Sequence, residues 1–124
     1  MKEALSKNMN LVSQHLLDGF GSMGEGISIQ LTKDGRRIMW LAHVSAPKNF
    51  SALNVTDIKN PKMIVQTDLP HQNVRSNSLE VCGDIMAVAY QTNKLGQQPA
   101  GIEMFDISTP EEPKRIGFFN ILKC

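Results

Sequence analysis

Three histidines, His15, His43 and His71, are the first residues of this chain to suggest metal or acid–base chemistry, and their spacing argues against it. No two of them lie at the short interval by which one element presents a ligand pair, and Cys82 and Cys124 form no Cys-x-x-Cys motif. They read as surface or hydrogen-bonded histidines, so no metal and no cofactor is expected. Gly19-Phe20-Gly21-Ser22-Met23-Gly24 has the glycine content of a phosphate loop but no Gly-Lys-Ser/Thr, and no helical pattern follows it. Ser45, Ser51 and Ser108 lack the Gly-x-Ser-x-Gly context of a hydrolase nucleophile. A better set is Glu25, Arg75 and Asn77. It offers a carboxylate, a guanidinium and an amide, and Glu25 and Asn77 stand 52 positions apart. Whether they meet depends on the elements that carry them.

Composition narrows the functional classes. The chain has 124 residues, 41% of them hydrophobic, and its 13 Lys and Arg against 12 Asp and Glu give a net charge of +1. Basic residues cluster only at Lys33-Asp34-Gly35-Arg36-Arg37, too little for a phosphate-binding face, so nucleic acid is not an expected partner. No apolar run approaches the roughly 18 to 20 residues that span a bilayer. Polar residues at Ser6-Lys7-Asn8 and Ser13-Gln14-His15 interrupt the hydrophobic stretch that a secretory signal needs, so the expected location is cytoplasmic.

The positioning elements emerge from an internal repeat. Leu53-Asn54-Val55-Thr56-Asp57-Ile58-Lys59-Asn60-Pro61-Lys62-Met63-Ile64 recurs 52 positions later as Phe105-Asp106-Ile107-Ser108-Thr109-Pro110-Glu111-Glu112-Pro113-Lys114-Arg115-Ile116. Ile27 and Leu79, Ile29 and Val81, and Val12, Ile64 and Ile116 keep the same step, while Arg37–His43 resembles Asp84–Tyr90 at a step of 47. Ile27, Ile29 and Leu31 alternate with polar residues, as in a half-buried strand. Ile38–Leu41 and Ile85–Val88 are nearly continuous apolar runs, as in strands buried on both faces. Asp34-Gly35 and Gly83-Asp84 supply hairpin turns, and Pro61 and Pro113 belong in connections. The expected strands are 26–31, 36–43, 50–55 and 62–67, then 78–82, 84–91, 101–107 and 114–119. A further strand is expected near 10–16, and helix at most over Met1–Lys7. Cys82, in one of these strands, reads as a small buried hydrophobe.

Four short antiparallel strands at a period near 50 describe a β-propeller blade, so the expected fold class is all-β: propeller blades in an incomplete ring. The Asn54–Lys62 and Asp106–Pro113 segments resemble the Asp-hydrophobic-Ser-x-Pro-x-x-Pro element of LVIVD-repeat β-propeller proteins, with Asn54 and Ile58 departing from it. That resemblance covers most of residues 10–119 and implies a propeller closing with several blades, but no particular reaction. The expected organisation is an N-terminal extension over 1–9, the last strand of a preceding blade with its connection over 10–25, blade one over 26–70, blade two over 71–120 and a continuation from 121. Two blades cannot close a ring of about four to eight. The chain is therefore expected to be the N-terminal portion of a longer one, or to assemble with other copies.

In a propeller the innermost strands line the axis, and the segments entering them form one face of the disc. Glu25 and Asn77 take equivalent places there on successive blades, with Arg75 beside them favouring an anionic partner. These three residues are the candidate binding site. The expected function is a binding or scaffold module offering that face to a protein or a small polar ligand. The alternative is a propeller enzyme, assisted by a metal or not, with polar groups converging on the channel.

Overall fold

The computed structural model describes residues 7–121. After a short 3-10 turn at Leu17–Gly19 come eight strands: β1 (Met23–Leu31), β2 (Arg37–His43), β3 (Lys48–Asn54), β4 (Lys62–Asp68), β5 (Val74–Cys82), β6 (Ile85–Thr92), β7 (Gly101–Asp106) and β8 (Lys114–Asn120). They build two four-stranded antiparallel sheets, each a meander in sequence order, β1-β2-β3-β4 and β5-β6-β7-β8. The helix expected near the N-terminus falls almost wholly on residues 1–6, outside the described residues.

The two sheets repeat each other pair for pair. Ile27 opposes Leu41 and Ile29 opposes Met39 in the first, as Leu79 opposes Val88 and Val81 opposes Met86 in the second. Ala52–Val65 and Leu53–Met63 recur as Met104–Gly117 and Phe105–Arg115, with a register shift at the same place. The recurring Asn/Asp-x-Thr/Ser has a direct physical cause. The Asn54 side-chain oxygen accepts the Thr56 N–H at 3.0 Å, and the Asp106 carboxylate accepts the Ser108 N–H at 2.9 Å, so each strand ends in an Asx turn. A β-turn follows in both copies, closed by Asn60 N–H to Asp57 O (3.1 Å) and by Glu112 N–H to Thr109 O (2.9 Å). Ile58 in place of Pro110 leaves that turn unchanged, because a β-turn accepts proline at its second position without requiring it.

The sheets stack face to face. Ile38, Trp40, Ala42, Phe50 and Ala52 of the first meet Leu79, Met86, Val88, Tyr90 and Phe105 of the second in one core. Phe50 stands edge-on to both Trp40 and Phe105, with ring centroids 5.8 and 5.2 Å apart. A buried amide is threaded through this core. Gln30 accepts the Trp40 indole N–H at 3.1 Å and donates to the Ile107 carbonyl at 2.9 Å and to Asp84 at 3.2 Å, which meets the hydrogen-bonding demand of burial. The apolar run of β2 is largely buried on both faces, as expected. In β6 only Met86, Val88 and Tyr90 are buried, while Ile85, Ala87 and Ala89 stay partly exposed on the far side of the second sheet. Cys82, on that same side, is exposed rather than buried, because none of the described elements covers it.

Two further expectations change. Residues 10–16 form no strand. Their spacing matches β4 and β8, but a strand needs a neighbour's backbone ladder, and this segment instead passes the outer face of the first sheet. Ser13 donates to the Ile58 carbonyl at 2.6 Å, and Leu17 packs into a small second core with Leu41 and Leu53. In addition, β1 and β5 start three and four residues earlier than expected. A register shift separates Met23–His43 from Ile27–Leu41 and another separates Arg75–Gln91 from Ser78–Ala89, so each strand resumes its ladder beyond a bulge.

Candidate functional site

The bulges decide where the candidate residues stand. Glu25 lies in the bulge of β1, and Asn77 in that of β5; Arg75 is on β5 just before it. All three are therefore inside the strands rather than in loops leading to them. The two strands lie side by side and run the same way. Gly24 faces the Asn77 backbone, Gly26 faces Ser78 and Leu79, and Ser28 donates to Glu80 at 2.7 Å. A Cβ on Gly24 would sit 2.7 Å from the Asn77 carbonyl oxygen, so glycine is what permits this approach. Glu25 and Asn77 are thus carried on adjacent strands. Among the described residues neither side chain has a hydrogen-bond partner, and Glu25 is exposed while Asn77 is half-buried.

Arg75 belongs to a different feature at the same end of β5. It lines a cleft of about 290 Å³ formed by three segments: Val44–Ala46 after β2, Gln72–Val74 leading into β5, and Gln91–Asn93 closing β6. Gln91 fixes the guanidinium, its side-chain oxygen accepting from Nε at 2.9 Å and from Nη2 at 2.6 Å. The other polar side chains in the lining, Ser45, Gln72, Asn73, Thr92 and Asn93, are all neutral. Among the described residues the cleft thus holds one positive charge, no carboxylate and a surround of amides and hydroxyls. Neither Glu25 nor Asn77 lines it. Of the three predicted residues the structure places Arg75 in a cavity and leaves Glu25 on β1 and Asn77 on β5 outside it.

Sequence reasoning weighed Ser45 only as a nucleophile and passed over Gln72, Asn73, Gln91 and Asn93. Each reads as an ordinary turn or strand-end residue; the β5–β6 pairing joins residues 72–75 to 91–93, and the stacking of the first sheet on the second adds residues 44–46.

The histidines are all hydrogen-bonded. His15 Nδ1 accepts the Leu17 N–H at 2.9 Å, and His71 Nδ1 accepts the Asn73 N–H at 3.2 Å while its Nε2 donates to the Gln98 carbonyl at 2.6 Å. His43 is fully buried. Its Nδ1 donates to the Ser22 carbonyl at 3.0 Å, and its Nε2 accepts the Ser51 hydroxyl at 2.7 Å, which in turn accepts from Gln66 at 2.9 Å. Burial pushes the His43 pKa below its ordinary value, against the opposing effect of the Ser22 carbonyl. A serine hydroxyl on an imidazole nitrogen is the geometry of a nucleophile and its base. Here both side chains are sealed from solvent, and the arrangement ties β2 to β3. Tyr90 is similarly structural: its hydroxyl accepts from Asn49 at 2.9 Å, and burial, together with the Glu103 carboxylate, raises its pKa.

Among the described residues no three His, Cys, Asp or Glu side chains converge as a metal site, and no helix is long and apolar enough to cross a membrane. No protein-family model matches the chain, and a search of curated proteins finds no relative.

Proposed function

We propose that this chain is a propeller-type binding module of the LVIVD-repeat kind. In this reading its strand-entry end takes a small polar ligand, or a side chain or terminus of a protein, carrying a negative charge. The supporting observation is the Arg75 cleft. A guanidinium offers five N–H donors in a planar fork suited to carboxylate and phosphate oxygens. Gln91 engages the fork through Nε and Nη2 and so orients it, and Nη1 has no partner among the described residues. Pre-orientation lowers the entropic cost of binding, and the neutral amides around the fork can complete recognition of a polar ligand. The matched registers of the two sheets, and the side-by-side course of β1 and β5, support the blade reading.

The test is a titration of the isotopically labelled protein with acetate, succinate and inorganic phosphate, followed by NMR. The reading expects shifts confined to residues 44–46, 72–75 and 91–93, including the Arg75 Nε–H. They should be retained in part by Arg75→Lys and lost in Arg75→Ala. Absence of shifts with every probe, or shifts of equal size in Arg75→Ala, would refute it.

A further inference from the structure

The second sheet leaves an apolar face uncovered, and the repeat indicates what covers it. In the first sheet Ile38, Trp40, Ala42, Phe50 and Ala52 are fully buried beneath the second. Their counterparts by strand register in the second sheet are Ile85, Ala87, Ala89, Ile102 and Met104. That face is open: Ile102 is 41% exposed, and Phe119 beside it 58%. The complementary surface also exists on the chain. The second sheet enters the inter-sheet core through Met86, Val88, Phe105 and Ile107, whose counterparts Met39, Leu41, Leu53 and Val55 lie on the outer face of the first sheet. Residues 12–17 cross that outer face, Leu17 already burying Leu41 and Leu53, and leave an apolar cavity of about 450 Å³ against it, rimmed by the exposed Val12 and Ile58.

We infer that the outer face of the second sheet is a docking surface for a second copy of this chain, which enters with the outer face of its first sheet and so continues the existing inter-sheet packing. The contact is head-to-tail: the surface used on one copy differs from the surface used on the other. It extends an interface the molecule already makes, with apolar residues at the equivalent positions named above. Ser78 stands where Gly26 admits close strand contact, so the strands nearest the junction sit farther apart than β1 and β5 do. The inference is independent of the Arg75 cleft.

Sedimentation velocity of the full chain over a range of concentrations tests it. Wild type should show concentration-dependent self-association. Ile102→Glu with Phe119→Glu blocks the receiving face, and Val12→Glu with Ile58→Glu blocks the entering face. All four side chains are exposed, so folding should be retained, and circular dichroism checks this. Each double variant alone should be monomeric, and a mixture of the two should form a heterodimer and nothing larger, because one intact junction remains. A monomeric wild type would overturn the inference. So would self-association of either double variant alone, or a mixture that stays monomeric.

Discussion

Gly26 of β1 lies so close to Leu79 of β5 that a methyl group built on it would overlap the Leu79 backbone nitrogen. Backbone cannot swing aside as a side chain can, so Gly26→Ala should force the strands apart and destabilise the fold by about 1–3 kcal/mol, the usual cost of overpacking. Gly117 of β8 has open space where its Cβ would stand, and Gly117→Ala should be neutral or slightly stabilising. Urea denaturation of the two variants makes the comparison. Equal midpoints would mean that β1 and β5 are not in contact.

The two faces of β6 should differ sharply. Val88 is fully buried between the sheets, so Val88→Ala removes packed volume and should cost roughly 1–3 kcal/mol. Ile85, partly exposed on the far side, should lose less on the same change. Reversal of that order in thermal or chemical melts would place the core on the wrong side of the second sheet.

One side chain, Gln30, bonds both the Trp40 indole and the Ile107 carbonyl. Gln30→Ala leaves two buried polar groups without partners, each worth about 1–3 kcal/mol when orphaned, so the combined loss should exceed that of Val88→Ala. Double-variant analysis with Trp40→Phe, which removes the indole N–H, should recover part of the loss. Strict additivity of the two would show that the hydrogen bond is absent.

The repeat made much of this fold legible. Asx turns at Asn54 and Asp106 and hairpin turns at Gly35 and Gly83 are set by local chemistry, so strand ends near them are readable from residue type. The starts of β1 and β5 were not readable, since bulges at Gly24–Gly26 and at Ser76–Asn77 interrupt the alternation on which such a reading depends. Residues 10–16 copy the apolar spacing of a strand, but spacing cannot say whether a partner ladder exists. The site divides along the same line. Arg75 was visible as a charge beside an inner strand, whereas Gln91, which orients it, lies 16 residues away and is selected only by the β5–β6 pairing.

His43 sets a pH dependence. Its folded pKa lies below the ordinary 6.5 because burial disfavours the imidazolium, so unfolding takes up a proton over the interval between the two values. Stability from this residue is therefore complete above pH 6.5 and is lost progressively as pH falls from there towards the folded pKa. Melting temperature measured between neutral and mildly acidic pH should fall in wild type and fall less in His43→Gln. Parallel curves for the two proteins would remove His43 as the cause.

Both the Arg75 cleft and the stacking of the sheets require that β1 and β5 lie side by side in solution. The most direct measurement is a nuclear Overhauser experiment on the labelled protein, looking for a cross-peak between the Gly26 Hα protons and the Leu79 amide proton, and for one between the Phe50 and Phe105 rings. The structure predicts both, alongside the intra-sheet contacts between Gln30 and Ile38. Intra-sheet peaks without either inter-sheet peak would contradict the account, leaving two correctly paired sheets that do not meet.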